Sequence, residues 1–335
     1  MKAILLRRTG DPSVLEYGEV PTPRPGPGEV LVKADTIGVS MPETLVRKGT
    51  YAWMPPLPAI PGIEMSGTIA ETGPSVLNSG VSDREVGENV FVSARDLPVR
   101  AGCYAEYIAV PARAAHSLPS GVDLEAASCL SNYQVAWHLL HTAARGVETR
   151  TVLVHTAAGG VGSAAVQLAL IAGMRVIGVA GSEAKRQAVL GLGAAYAFNH
   201  RTDDVVALVR EATSGEGADL ILDPIGGKGF DRNFAMLAPL GLVISYGRLD
   251  GPPDPGFVQA MREHHEVSPA VRFFTIHSFD RRPDIREAAT KALLDHLAAG
   301  RIRPLIHTRL PLAEASRAHQ MLESGEVIGK ILMKP

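Results

Sequence analysis

The chain has 335 residues, of which 46% are hydrophobic and 20% charged, and its formal net charge is -2 at pH 7. This length predicts more than one domain, and the small net charge gives no global attraction to nucleic acid or to an anionic membrane. No run approaches the ~20 apolar residues that cross a bilayer, the N-terminus lacks the order of a signal peptide, and two cysteines make no disulfide framework. We therefore expect a cytoplasmic protein without nucleic-acid or membrane partners.

Short apolar runs separated by turn residues fill the first third of the chain. They cover residues 28–34, 62–70, 89–93 and 104–110. The pairs Pro25-Gly26 and Pro61-Gly62 are typical of turns. Closely spaced strands of this kind predict a β-barrel-like domain.

From about Asp123 the pattern changes to apolar runs that alternate with helical segments. The runs cover residues 151–155, 175–180, 219–223, 242–246 and 273–277, and an Ala-, Leu- and Val-rich segment at 162–172 is long enough for a crossover helix. This alternation predicts βαβ units and a parallel sheet buried on both faces. A last run, 326–333, predicts one more strand, which can return to the first domain.

A glycine-rich turn between the run 151–155 and the following helix is the strongest signal in the chain. Its residues are Thr156-Ala157-Ala158-Gly159-Gly160-Val161-Gly162, which match G-x-G-x-x-G with Ala157 in place of the first glycine. Such a turn lets backbone approach a pyrophosphate, and the helix N-terminus then offers N–H groups to it. We assign pyrophosphate contacts to residues 158–162; the alternative is an ordinary βα turn without a ligand.

The end of the second apolar run of this part favours NADP over NAD. An NAD site usually has an acidic residue there, whereas this chain has Gly181 and Ser182, followed by Lys185 and Arg186. Cations at this position can pair with a 2'-phosphate. Two alternatives stay open: the cations form a solvated helix face, or Glu183 caps the helix with Ser182 as N-cap.

Several motifs together resemble the medium-chain dehydrogenase/reductase superfamily, and within it the zinc-free quinone oxidoreductase (zeta-crystallin-like) branch. They are Gly38-Val39-Ser40, Pro61-Gly-Ile-Glu-Met-Ser-Gly67, Val86-Gly-Glu-Asn-Val90, Tyr104-Ala-Glu-Tyr107, the glycine turn, and Arg317-Ala-His319 with Lys330. The resemblance implies an α/β chain with a discontinuous GroES-like β-barrel domain (1–122 and 301–335) and a doubly wound Rossmann domain (123–300). It also implies a homodimer formed through the Rossmann sheets, with NADPH in the cleft between the domains.

The residues at the positions of the superfamily's zinc ligands predict that no metal is bound. The zinc branch has Cys where this chain has Ser40 and His where it has Ile63, and neither replacement suits Zn²⁺. Glu64 remains, and we interpret it as a structural acid paired with a nearby donor. The cysteines of the structural zinc would lie in residues 84–102, which contain none. Cys103 and Cys129 are interpreted as core residues.

Without a Lewis acid, reduction of an already polarised acceptor is the favoured chemistry. Hydride adds to a quinone or an enone, and hydrogen bonds stabilise the charge that forms on oxygen. By the resemblance Tyr51 is the candidate proton donor, although a packing role is an equal alternative. Ser40, where quinone reductases have Asn, is a candidate hydrogen-bond donor to the reacting oxygen.

The resemblance assigns further residues to the two ligands. Cofactor contacts fall on Gln134, Asn199, Tyr246, Gly247 and Lys330. The acceptor pocket receives Trp53, Asn132, Tyr133, Arg248, Phe273 and Phe274, with a surface salt bridge as the alternative for Arg248 and a dimer core as the alternative for the two phenylalanines. Arg47-Lys48 and Arg281-Arg282 can meet a coenzyme A phosphate or simply face solvent.

Two other functions stay open at this point. The first is an enoyl thioester reductase that acts on coenzyme A or carrier-bound chains. The second is a non-catalytic protein that holds NADPH in a structural or RNA-binding role, although the chain lacks a basic stripe with interleaved aromatic residues. The sequence also leaves open the physiological electron acceptor and the identity of the proton donor.

Overall fold

A computed structural model describes residues 1–74 and 84–335 of the chain. The chain divides into two compact units, which we call unit 1 (residues 1–131 and 294–335) and unit 2 (residues 132–293). The sequence prediction placed these boundaries at 122/123 and 300/301. The difference has a simple cause, since turn signals mark boundaries in a sequence whereas both boundaries here fall inside helices, at 130–137 and 283–298.

The strands and helices have the following bounds. The strands are β1 (Lys2–Leu6), β2 (Leu15–Glu19), β3 (Glu29–Val39), β4 (Glu64–Thr72), β5 (Asn89–Ser93), β6 (Tyr107–Pro111), β7 (Ala115–Ser117), β8 (Thr151–Val154), β9 (Arg175–Ala180), β10 (Tyr196–Asn199), β11 (Ala218–Asp223), β12 (Leu237–Ser245), β13 (Ala270–Phe273), β14 (Ile306–Pro311) and β15 (Lys330–Lys334). The α-helices are α1 (Met41–Lys48), α2 (Leu124–Ala127), α3 (Leu130–Trp137), α4 (Gly160–Ile171), α5 (Glu183–Gly191), α6 (Val205–Ala212), α7 (Phe257–Glu263), α8 (Pro283–Ala298) and α9 (Ala315–Ser324).

Unit 1 is built on a seven-stranded sheet. Its order is β14-β15-β3-β4-β5-β7, and β6 also pairs with β3. The C-terminal strand β15 lies antiparallel to β3, with Ile331 opposite Val39. This register places Lys330 next to the end of β3, which is followed by Ser40, the N-cap residue of α1. The core beneath consists of buried aliphatic residues such as Val32, Ile37 and Met65.

Unit 2 is built on a six-stranded sheet of order β10-β9-β8-β11-β12-β13 in which every pair is parallel. Counted from β8, this is the doubly wound order 3-2-1-4-5-6, so the predicted Rossmann sheet is confirmed. Consecutive residues of β8 and β11 are fully buried, as a sheet covered on both faces requires. The strand order reverses between β8 and β11, which is where ligands bind in such sheets.

The apolar runs of the sequence do not predict every strand of unit 2 at its observed position. They do not indicate β10, which is only four residues long, and they start β12 five residues late. They place the last strand of unit 2 at 273–277, whereas β13 ends at Phe273. There Thr275 accepts a hydrogen bond from the His277 N–H and starts a 3-10 turn over Ile276–Phe279. Among the described residues no helix is long and apolar enough to cross a membrane.

Candidate functional site

The glycine turn joins β8 to α4 at the point where the strand order reverses. Thr156 has a φ of 49°, a left-handed conformation that reverses the chain directly after the strand. Ala157 N–H donates to Val179 O at 2.9 Å, which ties the turn to β9, and Gly159 N–H donates to Thr156 O at 2.8 Å. Helix α4 then begins at Gly160. Its first N–H groups lack acceptors within the helix and can serve an anion.

Two glycines of this turn are required by close contacts. A Cβ on Gly162 would lie 2.2 Å from Thr156 O, so any side chain there would push the turn apart. A Cβ on Gly160 would lie 2.2 Å from Asn132 Nδ2. The Asn132 amide, which the sequence assigned to the acceptor pocket, therefore lies against the glycine turn.

The end of β9 carries the residues predicted to select NADP. Ser182 is the N-cap of α5 and accepts a hydrogen bond from Lys185 N–H at 3.3 Å, which agrees with the cap that the sequence left open as an alternative. Arg186 donates to both carboxylate oxygens of Glu183 at 2.8 Å, so its guanidinium is engaged by that side chain. Lys185 remains the predicted phosphate partner on this helix.

The structure adds two basic residues, His200 and Arg201, that the sequence did not indicate. A Cβ on Gly181 would lie 2.9 Å from His200 Nε2 and 3.7 Å from Arg201 Nε. The pKa of His200 is lowered by partial burial and by the nearby Arg201 and Lys185 charges. His200, Arg201 and Lys185 therefore converge on the end of β9. Recognition of β10 would have placed His200 at the carboxyl end of a parallel strand, which is the signal that was overlooked.

The ends of β11 and β12 are held by a buried polar network. Asp223 accepts hydrogen bonds from Ile225 N–H at 2.6 Å, Gly226 N–H at 3.0 Å and Asn233 Nδ2 at 2.7 Å. Asn233 Oδ1 in turn lies 2.8 Å from His155 Nε2, in the residue just before the glycine turn. This network links the loop after β11 to the end of β8, and no motif in the sequence indicated it.

The remaining residues assigned to the cofactor occupy different surroundings. Tyr246 donates its N–H to Asp223 O at 2.9 Å, and burial together with Asp223 raises the pKa of its phenol. A Cβ on Gly247 would lie 2.5 Å from Pro224 O, so backbone packs closely there. Asn199 closes a local turn by accepting from Arg201 N–H at 3.2 Å.

Two further candidate residues, Tyr133 and Gln134, lie on α3 within unit 2. The Tyr133 hydroxyl accepts a hydrogen bond from Gln167 Nε2 at 2.9 Å and the ring is buried, which favours packing over contact with an acceptor. Gln134 donates through Nε2 to Thr290 Oγ1 at 2.9 Å. Its Oε1 is buried and accepts no hydrogen bond from the described residues, so Gln134 keeps an acceptor available for a ligand amide.

Three residues assigned to the acceptor pocket lie at the β13 side of unit 2. Phe273 is on the edge strand β13, is 61% exposed and packs on Phe257 with ring centroids 6.1 Å apart. Phe274 donates its N–H to Ser245 O at 2.8 Å, and Arg248 is exposed. Its exposure distinguishes Phe273 from the buried core of unit 2.

The candidate proton donor Tyr51 is half-buried in unit 1. Its ring lies 5.7 Å from the Trp53 ring, and Arg100 stands over Trp53 with Cζ 5.2 Å from the ring centroid. Burial raises the pKa of the Tyr51 phenol, and the Arg95 and Arg100 charges and an Arg100 hydrogen bond oppose that rise. The phenol is therefore protonated at neutral pH and has cations nearby to stabilise its anion.

Ser40 belongs to a buried polar cluster of unit 1, formed with Glu43, Glu64 and Lys330. Lys330 Nζ donates hydrogen bonds to Ser40 Oγ and to Glu64 Oε1, and Ser40 Oγ lies 3.2 Å from Glu64 Oε1. Glu64 Oε2 accepts from Ser131 N–H at 3.0 Å. Lys330, assigned by the sequence to the cofactor, is thus the partner of Glu64, and Glu64 has the nearby donor that the sequence interpretation expected.

The donor set around Glu64 does not fit a zinc ion. Its two oxygens already accept from Lys330 and from Ser131, and Ile63 contributes only its N–H, which donates to Glu43 Oε1 at 3.3 Å. An ammonium directly on Glu64 would repel a second cation. Within residues 1–74 and 84–335 no group of three or more His, Cys, Asp or Glu side chains is arranged to hold a metal ion.

The two basic pairs considered for a coenzyme A phosphate, Arg47-Lys48 and Arg281-Arg282, are not equivalent. Arg47 is 1% exposed and donates to Gly10 O at 3.0 Å and to Glu323 Oε1 at 2.5 Å. This buried ion pair makes Arg47 unavailable to a phosphate, so that interpretation is wrong for Arg47. Arg282 pairs with Asp284 at 2.7 Å on the surface.

Comparison with known proteins matches both units of the chain. The family model of the alcohol dehydrogenase GroES-like domain matches residues 26–120, and that of zinc-binding dehydrogenase matches residues 160–289. A 2-haloacrylate reductase from a Burkholderia species is 30% identical, over 99% of this chain and 98% of that protein. The structure of the mycobacterial protein Rv1454c complexed with NADPH has 32% identity and a TM-score of 0.88, and covers 100% of both chains. Escherichia coli quinone oxidoreductase complexed with NADPH has 27% identity and a TM-score of 0.88, again with 100% of both chains covered. These matches confirm the predicted fold class.

Proposed function

The chain belongs to the medium-chain dehydrogenase/reductase superfamily, in its quinone oxidoreductase-like branch, and on that premise we propose that it is an NADPH-dependent, zinc-independent reductase of quinones or α,β-unsaturated carbonyl compounds. The observation that carries the proposal is the glycine turn at the point where the strand order of a parallel sheet reverses. Solved relatives of the same fold are complexed with NADPH.

The residues of unit 2 fit a dinucleotide that carries a 2'-phosphate. The first N–H groups of α4 serve the pyrophosphate, and Lys185, His200 and Arg201 serve the additional phosphate. Glu183, the acidic side chain that follows Gly181 and Ser182, accepts two hydrogen bonds from Arg186 at 2.8 Å. Each charge-assisted hydrogen bond contributes about 1.5–3 kcal/mol, and 1.4 kcal/mol is about a tenfold preference, so one such contact is enough to select NADP.

The residues of unit 1 act on the acceptor. Bound NADPH supplies a hydride, and its addition to a conjugated carbonyl leaves negative charge on the carbonyl oxygen. The Ser40 hydroxyl donates a hydrogen bond to that oxygen, and Tyr51 gives up its phenolic proton to the enolate. Arg100 then stabilises the Tyr51 phenolate until solvent returns the proton.

A substrate that is already polarised suits this arrangement. One of the matching family models is named for zinc, yet Ser40, Ile63 and the lysine-bound Glu64 are unsuited to hold it. Quinones and conjugated carbonyl compounds accept hydride without a Lewis acid, since the charge delocalises. The names of two relatives, 2-haloacrylate reductase and quinone oxidoreductase, specify such acceptors.

We also propose that the active form is a homodimer joined through β13. This strand is the edge of the parallel sheet, and Phe273 on it is 61% exposed. Two copies of an open edge can pair antiparallel about a twofold axis. Light scattering of the native protein and of Phe273→Asp tests this, with a dimer expected for the first and a larger monomer fraction for the second.

The function is tested by a screen of acceptors with NADPH and NADH, with and without a chelator. We expect oxidation of NADPH by 1,4-quinones, short enals or haloacrylates, unchanged by the chelator, and a weaker response with NADH. Turnover on enoyl-CoA alone would instead identify an enoyl thioester reductase. Tight NADPH binding without turnover on any acceptor would identify the non-catalytic function, and loss of activity in the chelator would refute zinc independence.

A further inference from the structure

Lys330 has a buried position that its assigned role as a cofactor ligand does not explain. Its side chain is 3% exposed and its partner Glu64 is 0% exposed, so both charges are removed from water. Isolated buried charges are costly, and a buried pair is stable only when its members are fully hydrogen-bonded. Here the ammonium is bonded to Glu64 and Ser40, and the other oxygen of Glu64 to Ser131 N–H.

Of these three side chains, Ser40 is the most exposed, at 8%. It is the N-cap of α1 and so lies at the edge of the buried cluster. Its Oγ accepts from Lys330 and faces Glu64 Oε1 at 3.2 Å, to which its hydrogen points when no acceptor is bound.

We infer that Lys330 is a positioning residue that acts through Ser40 and supplies the fixed positive charge that a metal ion supplies in zinc-dependent relatives. This inference rests on the proposed function. When an acceptor oxygen gains charge, the Ser40 hydrogen turns from Glu64 to that oxygen. Glu64 stays satisfied because Lys330 and Ser131 still donate to it. The ammonium behind Oγ strengthens the new hydrogen bond, as one donor polarises the next in a chain.

Glu43 is the other titratable group of the cluster and does not cancel this charge. Its oxygens accept from Ser40 N–H at 3.2 Å and Ile63 N–H at 3.3 Å. Burial raises its pKa to about 8, so at neutral pH it is mostly uncharged. The positive end of the Lys330–Glu64 pair therefore stays directed at Ser40.

The test removes both charges of the pair together, because removal of one alone leaves the other buried and unpaired. K330M/E64Q keeps the Ser40 hydroxyl and removes the ammonium behind it, so we expect kcat with a quinone or enone to fall about tenfold, less than the roughly 10²-fold for loss of the whole hydrogen bond. The dissociation constant for NADPH, measured by its fluorescence, should stay within about threefold, which separates this role from that of a cofactor ligand. Ser40→Ala, which removes the donor itself, should lose about 10²-fold, and the combined variant should lose no more than Ser40→Ala alone.

Two further variants serve as controls. K334M/D35N removes an exposed pair between Lys334 of β15 and Asp35 of β3, and its kcat should stay within about twofold of wild type. Lys330→Arg keeps the cation and should retain at least half of the wild-type kcat, which also covers the case in which K330M/E64Q does not fold. A K330M/E64Q protein that is folded with normal kcat, losses that add with Ser40→Ala, or an inactive Lys330→Arg that still folds would overturn the inference. Absence of turnover in the wild type would instead refute the proposed function, and this role of Lys330 with it.

Discussion

Alanine substitutions at the two glycines of the β8–α4 turn should have different consequences. Each added Cβ would approach its neighbour to 2.2 Å, where an ordinary contact begins at 3.4 Å. At Gly162 the neighbour is the backbone oxygen Thr156 O, so the turn itself must move by about 1 Å. At Gly160 the neighbour is the tip of the Asn132 side chain, which can rotate away. Overpacking of a rigid site costs about 1–3 kcal/mol, and a 1 Å displacement of a positioning group costs about 10² in function.

We therefore expect Gly162→Ala to lower the free energy of unfolding by about 1–3 kcal/mol and to weaken NADPH binding about 10²-fold. Gly160→Ala should bind within about tenfold of wild type, and G160A/N132A, which also removes the amide, should recover stability because alanine favours the helix. Urea unfolding and NADPH fluorescence titration measure both quantities. Wild-type affinity in Gly162→Ala would refute the assignment of this turn to the cofactor.

Three other predictions address selectivity, proton donation and stability. Lys185→Ala and His200→Ala should each weaken NADPH binding about tenfold and leave NADH binding unchanged. The affinity of Arg186→Ala for NADPH should stay within about threefold of wild type, because Glu183 holds the Arg186 side chain. Equal losses of affinity for both cofactors in titrations would contradict a 2'-phosphate site. Tyr51→Phe should lower kcat about 10²-fold with little change in NADPH affinity, and an unchanged pH profile of kcat would show that Tyr51 only packs. Burial lowers the pKa of His319 from 6.5 to about 4. Between these two pH values the unfolded chain binds a proton at His319 and the folded chain does not, so the free energy of unfolding decreases as the pH falls from 6.5 to 4. The free energy of unfolding should drop by about 2 kcal/mol between pH 7 and pH 5, and His319→Gln should remove that slope in urea titrations at the two pH values.

Local patterns in the sequence were sufficient for the sheet of unit 2 and for the glycine turn. Continuous apolar runs separated by helical segments identify buried parallel strands, and β9 has the predicted bounds, Arg175–Ala180. The N-cap at Ser182 is equally local, since it depends on residues within one turn. Features of this kind are encoded over fewer than about ten residues, which is why a single sequence reveals them.

Contacts between residues that are far apart in the sequence could not be predicted from local patterns. Lys330 and Glu64 are 266 positions apart, and only the pairing of β15 with β3 brings the lysine to the carboxylate. Arg47 looked like a surface cation because Lys48 follows it, yet Glu323, 276 positions away, pairs with it in the interior. Tyr133 was assigned to a pocket from its place in the chain, whereas its partner Gln167 lies one strand and a turn further on.

The cluster around Glu64 gives a physical reason for its composition. A barrel that has Ser40 and Ile63 at the zinc positions no longer offers ligands for a metal, and a buried carboxylate without any cation would be strongly destabilising. Two solutions exist: loss of the carboxylate, or an internal cation. This chain has the second, because Lys330 enters from β15 and reaches Glu64 and Ser40 at once. Two apolar residues at positions 64 and 330 would give equal stability. We therefore explain the two charges by their effect on the Ser40 hydroxyl. K330M/E64Q should then unfold no more easily than the wild type in urea, even as its kcat falls, whereas a joint loss of stability and activity would assign the pair to folding alone.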